Sequence, residues 1–265
     1  MTIFKYEMKQ LRGALIIWSI SLFLVVLLIL PVYIEMMSAV ETISLNGFGG
    51  NPMLEAMGVT LDVIATPLGT YAFLTFYVFL ACAINGLNMG LKMITKEYVQ
   101  KTADFILTKP HSRGKVFFSK VFAILVSALI IGFVYFLASW AGMAIGAGGD
   151  YNFLVMTQIA FSIVFIQLIF AALGLFAGII FPHIRAPLLV ATAVAFISYV
   201  GGSFSNKMGY TALVYLSPYH YFTSAEIIKT GSYELKFVVI SALLILALLG
   251  IGYTIFRKKD IIIVS

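Results

Sequence analysis

Six long stretches of this chain are apolar and almost free of charge: 13–34, 67–91, 116–146, 153–181, 186–204 and 237–256. A helix of about 20 apolar residues crosses the roughly 30 Å hydrocarbon layer of a membrane. Inside that layer every backbone N–H and C=O has to be satisfied within the protein, so helices are the expected form of each stretch. A soluble core would not absorb this much apolar surface, since 62% of the 265 residues are hydrophobic and only 11% are charged. The expected fold is all-α and integral to the membrane, with six transmembrane helices forming one transmembrane domain over residues 1–265. The run at 13–34 exceeds the h-region of a signal peptide and lacks a small-x-small cleavage site, so it reads as an uncleaved first span.

Charge fixes the expected orientation. With both termini inside, the inner segments hold Lys5, Lys9, Arg12, Lys92, Lys96, Lys101, Lys109, Arg113, Lys115, Lys120, Arg185, Arg257, Lys258 and Lys259, and the outer ones hold Lys207, Lys229 and Lys236. That bias predicts an N-in, C-in topology. The net charge of +6 sits at span ends, where it sets orientation and meets lipid headgroups, and it gives no basis for nucleic-acid binding. At the amino end, Ile3, Phe4, Met8 and Leu11 fall on one helical side and Lys5, Lys9 and Arg12 on the other, the pattern of a short amphipathic helix lying in the headgroup layer. Residues 35–66 carry Glu35, Glu41, Glu55 and Asp62 with no Lys or Arg, as an outer loop does.

The stretch 92–120 is the long polar interruption. At 100° per residue, Glu97, Lys101, Asp104 and Thr108 share one narrow sector, and Ile94, Tyr98, Val99, Phe105 and Leu107 fill much of the remaining circumference. Pro110 ends that helix, and Arg113 and Lys115 lead into the third span. An amphipathic helix with a narrow charged face between two spans is a docking surface; a plain cytosolic loop obeying the charge rule is the other reading.

The order Glu97, Lys101-Thr102, Asp104, Ile106-Leu107, Pro110, Ser112-Arg113, Lys120 resembles the segment after the second span of ABC-2 type ABC transporter permeases. Lys101 stands where that family often has Gly. The resemblance implies a cytoplasmic coupling helix between spans 2 and 3, seated on a separate ATPase subunit, with Glu97, Lys101, Asp104 and Arg113 as its contacts. It implies too that the chain binds no cofactor directly, ATP and Mg being held by the partner ATPase. A second permease copy or a homologous permease completes the pathway, and the setting is the cytoplasmic membrane of a bacterium.

Residues 205–236 are too aromatic for a free loop and too broken for a span. Tyr215, Tyr219, Tyr221 and Phe222 surround Pro218. One reading is an outer re-entrant helical segment between spans 5 and 6, backed by protein; the other is an interfacial aromatic anchor. Leu216-Ser217-Pro218 resembles the family's signature for the first, which implies an outer gate. Small residues recur at four-residue spacing as Gly86/Gly90, Gly142/Gly146 and Gly174/Gly178, a pattern that allows close helix crossing. Asn85, Asn88 and Gln167 are polar groups within spans and either line a pathway or bond to a neighbouring helix.

Other chemistries are disfavoured. No Asp, Glu, Lys or Arg sits at the middle of an expected span, which argues against proton or sodium coupling. His111, His183 and His220 have no ligand spacing and Cys82 is the single cysteine, so no metal site is expected. No G-x-x-x-x-G-K-[ST] occurs, so ATP drive has to come from another subunit. Together with these absences, the resemblance implies not an enzyme but the permease of an exporter; the aromatic, charge-free spans favour hydrophobic or amphipathic cargo, with amphipathic peptides or drugs first. The alternative is a non-transporting immunity or sensor protein that sequesters a peptide at the outer surface.

Overall fold

The computed structural model describes residues 2–41, 66–100, 112–208, 215 and 217–258. Their regular elements are all helical: α1 (Thr2–Glu41), α2 (Pro67–Val99), α3 (Arg113–Ala147), α4 (Phe153–Ile180), α5 (Pro187–Met208), a 3₁₀ turn at Pro218–Phe222, α6 (Ser224–Thr230) and α7 (Leu235–Lys258). Helix starts follow local chemistry. The Thr66 hydroxyl accepts from the Gly69 N–H at 3.1 Å with Pro67 in the first turn, and the Asn152 side chain accepts from Leu154 and Val155 N–H at 3.0 and 3.3 Å. Gly148, at φ 59°, ends α3 in the left-handed conformation that costs a glycine nothing.

Among the described residues five helices are long and apolar enough to cross a membrane: Ile3–Met37 of α1, then α2, α3, α4 and α7. The sixth expected span falls on α5, a 22-residue helix whose apolar stretch among the described residues is Pro187–Gly202. The amino-terminal segment also departs from expectation. It is no separate interfacial helix: α1 runs unbroken for 40 residues from Thr2, about 60 Å at 1.5 Å per residue. The helix continues through Gly13, and its first turns are tied to α3 through the Glu7–Lys120 contact.

The centre of the molecule is the parallel pair α2 and α4. A Cβ on Gly86 would overlap the Gln167 carbonyl, one on Gly90 the Ala171 carbonyl, and one on Gly174 the Leu87 carbonyl; at Gly178 it would stand 3.2 Å from the Leu91 oxygen. Absent side chains thus let two backbones touch, which in lipid replaces the hydrophobic driving force of water. The same device joins α3 to α1, where a Cβ on Gly146 would lie 2.9 Å from Pro31 Cα and one on Gly142 would lie 3.1 Å from Leu30 Cδ2. All three four-residue glycine spacings are therefore packing seams inside one protomer. Outward, Ile17, Leu28, Phe118, Phe133, Trp140, Leu189, Ile197 and Leu246 are exposed, the apolar coat of a membrane-embedded bundle.

Candidate functional site

The helices meet at one end in a cluster of buried charge. Lys120, in the second turn of α3, is fully buried; its ammonium donates to Glu7 Oε1 at 2.7 Å, to the Met93 carbonyl at 2.9 Å and to Glu97 Oε1. Three protons meet three acceptors, so the group is fully bonded. The second oxygen of Glu7 accepts from Lys96 at 2.5 Å, and Lys96 also donates to the Gln10 side-chain oxygen. Two carboxylates and two ammoniums sum to zero charge, which is what allows them to leave water together. The cluster ties the first turns of α1 to the last turn of α2 and the start of α3.

Glu97 and Lys120 are the first and last members of the polar motif, and here they are bonded to each other. Their pairing brings together the two flanks of residues 101–111, the part of the expected docking stretch 92–120 that lies outside the described residues. Lys101 and Asp104 lie outside the described residues. Glu97 does not lie on an outward face: it is 5% exposed and turned into the cluster. The reason is competition, since a buried ammonium in reach stabilises a carboxylate more than solvent-facing neighbours on the same helix do. Arg113 is half-buried at the start of α3, and its guanidinium donates to the Arg257 carbonyl at 3.0 Å, fastening α3 to the end of α7. The Ser112 hydroxyl accepts from the Lys115 N–H at 3.3 Å, capping α3 where the 101–111 stretch joins it.

At the opposite end, the segment around Pro218 folds into protein. Tyr219, Tyr221 and Phe222 are buried, while Tyr215 is 52% exposed. Pro218 is buried in the same turn. The Tyr219 hydroxyl donates to the Ala195 carbonyl of α5 at 3.1 Å, Ser217 donates to the Ser198 carbonyl at 3.1 Å, and His220 Nε2 lies 2.7 Å from the Gly202 oxygen. Tyr221 donates to the Tyr215 carbonyl. Phe222 stacks on Phe165 of α4 with centroids 4.7 Å apart, and Tyr221 stacks on Phe237 of α7 at 5.3 Å. Burial pushes the Tyr219 and Tyr221 phenols above their ordinary range, so both remain donors at neutral pH. This is a turn clasped by α4, α5 and α7. Its partners Phe165, Tyr199 and Phe237 carry no local signal, because they read as ordinary apolar positions of three different helices.

The polar residues of the spans do not share a surface. Asn85 and Gln167 are buried, Gln167 completely, and the Gln167 backbone is the contact of Gly86. Among the described residues, neither side-chain atom of the Gln167 amide is bonded, nor is the oxygen of Asn88. Asn88 is half-buried. Glu7 is the residue that sequence reasoning missed: its one signal is an acid among Lys5, Lys9 and Arg12, on a different face of the same turns. Among the described residues no group of His, Cys, Asp and Glu is placed to hold a metal ion.

The family model described as ABC-2 family transporter protein matches residues 1–261. No curated protein and no solved structure gives a significant match.

Proposed function

The chain belongs to the ABC-2 transporter family, and from that membership we infer that it is the permease of an ATP-driven exporter, powered by a separate ATPase subunit that docks at the end of the bundle carrying Lys120. The family makes it a membrane transport subunit rather than a catalyst; the docking place, the direction and the cargo are our reading. The observation that carries it is the Glu97–Lys120 pair. A stretch whose two ends are joined by a buried ion pair moves as a unit with α2 and α3, so a push on 101–111 reaches the spans instead of being absorbed by a slack loop. Lys101, Asp104 and Arg113 are the residues assigned to the ATPase contact, and Glu97 is assigned to holding the helix that presents them.

Six spans with both termini inside follow from counting α5 as a span and from the basic bias of that end. Two permeases, identical or homologous, enclose the pathway, and the aromatic turn at Tyr215–Phe222 gates its outer mouth. Asn88 is the member of the polar set left within reach of such a pathway, whereas Asn85 and Gln167 are interior. The uncharged apolar bundle favours hydrophobic or amphipathic cargo, amphipathic peptides or drugs first. The sequestering alternative gains nothing from the outer end, because Tyr219, Tyr221 and Phe222 are spent on internal packing.

The test is ATP hydrolysis by the assembled complex in lipid nanodiscs. An amphipathic cationic peptide should stimulate turnover, and Lys101→Glu with Asp104→Lys should abolish the stimulation. Peptide binding without any ATP turnover in the complex would overturn the exporter reading.

A further inference from the structure

The flank of α1 facing away from the ion cluster forms, with α3, an open groove of about 680 Å³. Its upper part is basic: Lys5, Lys9 and Arg12, at spacings of four and three, stand on one face within about 10 Å of helix. All three are exposed, and among the described residues no carboxylate pairs with them. Glu7, the acid of those turns, is 1% exposed and committed to Lys96 and Lys120, so it leaves this face uncompensated. One turn further along the helix the groove changes character. Ile16 and Ile20 of α1 face Ile130 of α3 across it, and Ser19 is the single hydroxyl there.

A basic mouth that turns apolar within one helical turn matches one kind of molecule, an anionic amphiphile standing parallel to the helices. We propose that this groove is a binding site for an anionic phospholipid, with its phosphate on Lys5, Lys9 and Arg12 and one acyl chain along Ile16, Ile20 and Ile130. Charge complementarity selects the headgroup, since cations near the membrane surface attract anionic lipid and a guanidinium matches a phosphate in geometry. The apolar part selects a lipid over a free anion, because a soluble phosphate leaves those side chains unmatched. The volume, within the range of ordinary ligand sites, accommodates a headgroup and part of one chain. Bound there, the lipid clamps α1 to α3 on the side opposite to the Glu7–Lys120 pair.

Native mass spectrometry of the full-length protein with its copurifying subunits tests this, using dioleoyl phosphatidylglycerol and dioleoyl phosphatidylcholine at equal concentration. Phosphatidylglycerol should be retained about tenfold over phosphatidylcholine, the preference three cations readily supply. Combined Lys5→Gln, Lys9→Gln and Arg12→Gln should erase the preference, whereas Lys92→Gln with Lys115→Gln, basic residues exposed outside the groove, should keep it. Ile130→Trp, which fills the apolar part and leaves the cations intact, should lower phosphatidylglycerol retention several-fold, and it decides the matter should the triple variant fail to fold. Equal retention of the two lipids, an unchanged preference in the Ile130→Trp protein, or displacement of the lipid by excess inorganic phosphate would each overturn the proposal. No outcome depends on an ATPase or on transport.

Discussion

Lys120 holds a full charge at zero exposure, and its three bonds leave no donor spare. Removing one partner from such a set leaves the remaining charges buried without compensation, which costs roughly 3–5 kcal/mol. Lys120→Met is therefore expected to unfold the protein well below the wild-type temperature. The double variant Glu97→Gln, Lys120→Met should recover much of that loss, because it removes one charge of each sign and leaves Glu7 paired with Lys96. Cys82 provides the readout: it is the single cysteine and fully buried, so a thiol-reactive maleimide dye reports unfolding in detergent. Equal melting of the single and double variants would show that the cluster is not acting through charge. Each residue of this cluster was visible in the sequence, but their association was not. Lys96 and Lys120 read as topology markers, and Glu7 joins them from 89 and 113 positions away. Helical periodicity reports faces within one helix and is blind to such distances.

The helices divide into those whose backbones touch and those that face lipid. Gly90→Ala and Gly174→Ala are each expected to destabilise the α2/α4 pair by about 1–3 kcal/mol, because the new methyl meets a carbonyl oxygen that has no rotamer to escape into. Gly250→Ala on α7, with nothing within 4 Å of its Cβ, should leave the melting temperature unchanged. In the aromatic turn, Tyr219→Phe removes only the bond to Ala195 and should cost about 1 kcal/mol, whereas Phe222→Ala empties a stacked position and should cost about 3–5 kcal/mol. The same maleimide melts measure all five. The small-x-x-x-small seams were legible because glycine at that spacing has one strong physical use in a membrane helix. The continuity of α1 was not: an amphipathic start and an apolar continuation look alike whether or not the backbone breaks between them, and tertiary contacts of Glu7 and Met8 settle it.

At the scale of the molecule, basic residues and the buried ion cluster share one end, and the aromatic turn occupies the other. If the basic end is cytoplasmic, Lys115→Cys reacts with an impermeant maleimide only after the membrane is opened, and Asp150→Cys reacts in intact cells; the reverse pattern would invert the topology. The central claim concerns what docks at the basic end. Glu97→Lys is a poor probe of docking, since it strikes the buried cluster and conflates folding with assembly. Lys101→Glu with Asp104→Lys avoids the cluster residues and is the cleaner pair. The most direct measurement is the subunit ratio of protein purified from its own host in mild detergent, wild type beside that double variant. An ATPase subunit is expected at about one per permease in the wild type and should be lost in the double variant while the Cys82-monitored melt stays put. A permease that purifies without an ATPase, or an ATPase retained in full by the double variant, would contradict it.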